Sequence, residues 1–247
     1  MRSLIATLLL LCSSTTAAPA QSLERRITRI GTGTVHLSFA ARSGVCGDGF
    51  NGIRTNDADE EWQEACEPQP VRVAIKVHDG RVTAVRSYVG GDWRAGSSAT
   101  DLGTVRPQDA APYLISLAER GGSLSGDPLL TASLADSVVI WPSLLRLARS
   151  SQLSAETRRS AVFWLAQAAG AAVAPLLDSI VQDPRGDREV RKQAVFALSQ
   201  RSANQGVPAL IRIARANPDP ELRKTALFWL GQSEDPRALA LFEEILR

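Results

Sequence analysis

The chain has 247 residues, 44% of them apolar and 22% charged, with a formal net charge of +2. That balance excludes wholesale disorder, which needs low hydrophobicity and high net charge, and it excludes a strongly basic nucleic-acid binder. At 26.5 kDa the chain can form two modest domains, or one solenoid with an added module.

Arg2 precedes an apolar run from Leu4 to Leu11, and small residues follow, ending in Ala18-Pro19-Ala20. This layout predicts a secretory signal peptide over residues 1–20, cleaved before Gln21. The protein is then expected in the periplasm, the cell envelope or the exterior. The run is too short to span a bilayer, which takes about 20 residues, and no later segment reads as a membrane helix. Leu11 is not the small residue that lipid attachment at Cys12 would want. Removing residues 1–20 leaves 27 basic against 26 acidic side chains, a charge of +1.

Cys46 and Cys66 then remain. An even count in an exported chain predicts a disulfide. Closing a loop of about 20 residues adds roughly 3 kcal/mol on the chain-entropy account. A redox or metal pair is the alternative, but there is no Cys-x-x-Cys and the only histidines are His36 and His78.

Residues 21–103 read as a β-rich module. Val35, Leu37 and Phe39 alternate with polar or small neighbours, the pattern of a half-buried strand. Val71, Val73, Ile75 and Val77 do the same, and Asp79-Gly80 follows at once. Asp-Gly between alternating runs predicts a hairpin of about 70–78 and 81–89, because its turn needs positive φ. His36 and His78 fall on the polar phase of their strands. The segment from Gly47 to Glu67 is an acidic loop, read as solvated with Trp62 against the sheet. It lacks the D-x-[DN]-x-[DN]-G template of a calcium loop. Gly90 to Gly103, rich in small residues, reads as a linker.

The second half repeats itself. Glu156-Thr-Arg-Arg-Ser-Ala-Val-Phe-Trp-Leu-Ala-Gln167 aligns with the segments Glu189 to Gln200 and Glu221 to Gln232, at steps of 33 and 32 residues. Pro142, Pro175 and Pro208 recur at steps of 33. Two helical patterns at this period predict an α-solenoid. Each first helix opens at Ser154, Asp187 or Asp219, residues that cap helices well, and carries a glutamate in its first turn. Each second helix is expected to open near its proline. The last copy has Leu239 there, and the charged Glu243, Glu244 and Arg247 are expected to cap the array. A degenerate helical repeat covers 104–149, and three full repeats cover 150–247. The fold class is α+β: a small disulfide-stapled β-rich N-terminal module followed by a short α-solenoid.

These three copies resemble HEAT repeats, in the variant shared by the HEAT-like domains of phycobilisome lyases and many exported bacterial proteins. The resemblance covers 150–247 clearly and 107–149 loosely. It implies a right-handed superhelix that serves as a protein-binding scaffold, without a catalytic site. Deoxyhypusine hydroxylase resembles this fold but uses His-Glu metal pairs. No such pair occurs here, no histidine follows His78, and nothing matches a bilin site residue by residue.

Recurring residues carry the candidate sites. Arg158, Arg191 and Arg223 read as a ladder to acids in the same or adjacent repeats, with an anion-binding row as the alternative. Phe163, Phe196 and Phe228 flank the core stripe. They either fill grooves between repeats or form an aromatic row beside Arg159, Lys192 and Lys224 that docks a partner. Trp164 and Trp229 read as large core residues. Gln167, Gln200 and Gln232 are expected to satisfy loop carbonyls. No nucleophile motif, metal site or cofactor site is found.

The function read from the sequence is a non-catalytic protein–protein interaction scaffold of the cell envelope. Its partner is an unidentified protein, with no nucleic acid and no membrane span in the mature chain. Two alternatives stand beside it. One is an enzyme or ligand-binding module sited in the β-rich part, with His36 and His78 meeting an acid. The other is a regulatory accessory subunit of an envelope protease or receptor.

Overall fold

The computed structural model describes residues 19–49, 52–55, 69–121, 124–167 and 173–246. Residues 1–18 of the expected signal peptide lie outside this set, as do Trp62, Cys66 and most acids of the expected loop. Helix α1 (Pro19–Thr28) opens the described chain. It crosses the expected cleavage point and buries Leu23 and Ile27, one turn apart, in the core.

Four strands form a mixed sheet in the order β5-β4-β1-β6. The alternation in β1 (Gly33–Phe39) puts Val35, Leu37 and Phe39 on the buried face. β4 (Val71–His78) does the same with its three valines and Ile75, and pairs antiparallel with β1. β5 (Arg81–Val89) returns from β4 as the expected hairpin. Its two turn residues, Asp79 and Gly80, have φ of 49° and 71°, the double positive φ of a type I′ turn. A two-stranded ribbon, β2 (Val45–Gly47) with β3 (Ile53–Thr55), is not paired into this sheet but packs against the end of β5, where Gly49 N donates to the Val89 carbonyl at 2.8 Å.

The expected linker departs from its reading. Its end forms β6 (Thr100–Thr104), which pairs parallel with β1. β6 shows no apolar alternation because it is an edge strand, exposed along nearly all its length. Its formation rests on the free edge of β1, a tertiary cause invisible in the local sequence.

Helices follow in series: α2 (Pro107–Arg120), α3 (Pro128–Ser133), α4 (Trp141–Arg149), α5 (Ala155–Ala166), α6 (Val173–Val181), α7 (Arg188–Ser199), α8 (Ala203–Ala216), α9 (Pro220–Gly231) and α10 (Pro236–Ile245). They stack in two layers. α5 packs on α7 and α7 on α9; behind them α4, α6, α8 and α10 pack in sequence. One hydrophobic cluster runs from Leu23 through the sheet to Leu241, so sheet and helices share a core.

Two second helices open earlier than the prolines suggest. α8 starts at Ala203 and carries Pro208 inside it. Gly206 makes this start possible: a Cβ there would lie 2.2 Å from the Leu198 carbonyl oxygen at the end of α7. α10 starts at Pro236, with Asp235 as its cap, rather than at Leu239. Of the charged ending, Glu243 and Glu244 are exposed and Arg247 lies outside the described residues. Leu239, Ile245 and Leu246 on the same helix are 62, 56 and 86% exposed.

Sheet and helices meet at Ser125-Gly126-Asp127. Ser125 bridges to Ala84, and its carbonyl accepts from Val85 N at 2.9 Å. Gly126 has φ +95°, and a Cβ there would lie 1.9 Å from the Val85 carbonyl oxygen. Both strain and collision therefore oppose a side chain. Gly126→Ala is expected to destabilise the protein by about 2 kcal/mol or more, read from urea unfolding by circular dichroism. A change below about 0.5 kcal/mol, the range of neutral surface substitutions, would refute this account of the junction.

Candidate interaction surface

The first helices of the repeats hold the candidate surface, and their N-termini fix their spacing. Asp187 caps α7 by accepting from Glu189 N and Val190 N. Asp219 caps α9 by accepting from Glu221 N, and Ser154 caps α5 by accepting from Thr157 N. The repeated arginines reach these caps from the preceding repeat. Arg158 lies 3.4 Å from Asp187, and Arg191 lies 3.7 Å from Asp219, with Arg188 at 3.1 Å on the same oxygen. Arg191 is 7% exposed and also donates from Nε to the Val181 carbonyl at 2.9 Å. Arg223, in the last copy, donates to the Asn217 and Pro218 carbonyls. Of the two sequence readings, these contacts fit the ladder between repeats.

The carboxyls respond accordingly. The Val190 N–H holds Asp187 below the ordinary carboxylate range, against the effect of burial, with Glu189 N and Arg158 helping. For Asp219, burial acts upward, and the Glu221 N–H with Arg188 and Arg191 outweighs it. Asp235, bonded by the Arg237 side chain and backbone, is lowered to about 2.

Arg159, Lys192 and Lys224 each precede a phenylalanine by four residues, so cation and ring share one flank of each helix. Phe163 is 40% exposed, Phe228 57% exposed, and Phe196 half-buried. The three rings do not form one row. Phe196 and Phe228 both pack on Trp229, with centroids 5.0 Å away in each case. This makes a continuous patch across α7 and α9. Phe163 instead stacks edge-on against Trp164 at 4.8 Å. The break falls where Ala197 replaces the tryptophan. Arg159 and Lys224 are exposed, and Lys192 is half-buried beside Glu189 at 3.3 Å.

Two expectations for this face need correction. Trp164 and Trp229 are half-buried, not core. Both pack against the core from its margin. Trp164 also donates from Nε1 to Asp127 at 2.7 Å, and Ser160 donates to the same oxygen at 3.1 Å. Asp127 meanwhile caps α3 with its other oxygen. Sequence reasoning missed this residue, although Asp-Pro before an apolar run is a helix-start signal. Finally, Gln200 donates to the Ser199 hydroxyl and not to a loop carbonyl. The carbonyl of Ala166, at the end of α5, is taken by Arg201 at 3.1 Å.

In the sheet, His36 and His78 do not converge. His36 pairs with Ala74 in the strand register, four residues before His78. The separation is roughly 13 Å at the usual rise per residue. His36 stacks on Trp93 at 3.7 Å, with Tyr88 edge-on to the same indole. Burial lowers its pKa, against the pull of Asp101. His78 is exposed beside Asp79 at 3.5 Å. Cys46 lies on β2, whereas Cys66 lies outside the described residues. Among the described residues no cluster of three or more His, Cys, Asp or Glu is placed to hold a metal ion, and no helix is long and apolar enough to cross a membrane.

Asp187→Ala removes a cap and strands Arg158, so it is expected to cost about 1 kcal/mol near pH 7. The folded-state pKa of Asp187 is depressed, so its contribution is present above the unfolded value of about 3.9. It is lost as pH falls through the folded value. The gap between wild type and variant in thermal melts is therefore expected to close below about pH 4. A gap that persists unchanged at pH 2 would refute an ionic cap.

Comparison with known proteins bears on this half of the chain. No curated protein matches the chain. The family described as HEAT repeats matches residues 184–247, the stretch that holds α7 to α10 and the patch around Trp229.

Proposed function

We propose that this chain is an exported, non-catalytic scaffold of the cell envelope that docks a protein partner through its helical repeats. HEAT repeats generally mediate protein–protein interaction, and the described chain carries such a repeat segment. The observation that carries the reading is the patch of Phe196, Trp229 and Phe228. Large aromatic rings held against one another, half exposed and flanked by Lys192 and Lys224, are the anchors that dominate protein interfaces. Export rests on the tripartite N-terminus, and with it goes a Cys46–Cys66 staple. The enzyme reading in the β-rich part loses its main support, since His36 and His78 stand apart.

The experiment is crosslinking of the tagged protein in cells, with mass spectrometry of what co-purifies from the envelope fraction. One dominant partner is expected, and Phe196→Ser with Phe228→Ser is expected to reduce its recovery at least tenfold. Both positions are partly exposed, so the melting temperature is expected to change little. A partner retained in full by the folded double variant would overturn the assignment of this face. Peptide mapping of the exported protein without reductant is expected to yield a Cys46–Cys66 linked pair and an N-terminus at Gln21. Free thiols at both cysteines, or a retained leader, would overturn the export reading.

A further inference from the structure

A cleft of about 220 Å³ lies between the ends of α4 and α6 and the starts of α5 and α7. Four arginines line it: Arg149, Arg158, Arg185 and Arg191, with Asp183 as the acid among the lining residues. Arg149, which donates to the Ser179 hydroxyl at 2.7 Å, and Arg185 are exposed and form the rim. The side chains of Arg158 and Arg191 are 14 and 8% exposed and form the floor. Two further acids, Asp187 and Asp219, each cap a helix with one oxygen and face Arg158 and Arg191 with the other.

Of the two floor arginines, Arg191 donates from Nε to the Val181 carbonyl at 2.9 Å, and Arg158 is the under-satisfied one. Their carboxylate contacts measure 3.4 and 3.7 Å, well beyond the 2.7–2.9 Å of a strong charge-assisted bond. The Nε of Arg158 is buried and has no hydrogen-bond partner. A buried donor without an acceptor is costly, more so on a cation. The four guanidiniums outnumber the carboxylates of Asp183, Asp187 and Asp219 around the cleft, which is net positive and partly desolvated. Close packing holds them there even so. Gly186 is squeezed against Arg191, where an added Cβ would sit 3.3 Å from its side-chain carbons.

We propose that this cleft binds a compact tetrahedral oxyanion, a phosphate or a phosphate monoester group. An acceptor with oxygens in several directions meets guanidiniums that arrive from four separate elements, whereas one fork already satisfies a planar carboxylate. The volume is below the about 300–1,000 Å³ of sites for larger organic ligands, so the occupant is small or a group on a larger molecule. The rim arginines attract it and the floor arginines hold it. The site is separate from the aromatic patch and does not depend on that patch docking a partner.

The test is isothermal titration of the purified full chain with sodium phosphate, and thermal melts in sodium phosphate against sodium chloride at matched ionic strength. Phosphate is expected to bind saturably and to raise the melting temperature above the chloride value. The double variant Arg149→Gln with Arg185→Gln changes exposed side chains. It is expected to melt as wild type does in chloride and to bind phosphate at least tenfold more weakly. Equal melting in phosphate and chloride, acetate bound as tightly as phosphate, or unchanged affinity in the folded double variant would each overturn the proposal. Phosphoserine separates the sources. Tighter binding than free phosphate assigns the cleft to a phosphorylated partner, and equal or weaker binding assigns it to the free ion.

Discussion

Stacking of the repeats depends on one interaction, the aspartate that closes the N-terminus of α7 and of α9 and accepts from the preceding repeat. Asp187 spends one carboxylate oxygen on its own helix N–H groups and the other on Arg158. Asp219 does the same with Arg188 and Arg191. A free helix end and a buried cation are each unfavourable alone. Joined through one carboxylate, they lock adjacent helices at a fixed offset. Exposed ion pairs contribute little, but Arg191 is held by the Val181 carbonyl as well and lies almost entirely inside.

That offset decides what the surface can present. With α7 and α9 so placed, Phe196 reaches across to Trp229 and meets Phe228 there. Between α5 and α7 the same offset gives no such patch, because Ala197 offers no ring to Phe163. The ladder also explains the arginine cleft. Arg158 turns one end of its guanidinium to Asp187 and leaves its Nε without a partner.

At the other end of the array, Asp127 plays the matching part with neutral donors. It caps α3, and Ser160 and Trp164 of α5 bind its second oxygen. Ser125 and Gly126, just before it, pair with β5. This run of three residues joins sheet to helices together with a second junction, where Ala41 bridges to Ala135 and Arg42 bonds Leu134 and Ser133, and sheet and helices share one hydrophobic core.

The sequence by itself determined the elements whose signals are local. The Asp79-Gly80 turn, the alternation in β1 and β4, and the 33-residue helical period depend on a residue and its near neighbours along the chain. The caps at Ser154, Asp187 and Asp219 were legible for the same reason, and so was the flanking position of the phenylalanines. Only the tertiary structure decided the rest. β6 exists because β1 offers an edge, and α8 starts early because Gly206 lets it approach Leu198. The tryptophans are half-buried, packed against the core from its margin. The arginine ladder, the Trp229 patch and the cleft join groups roughly thirty residues apart. Their contacts depend on how one repeat sits on the next, and no local pattern encodes that distance.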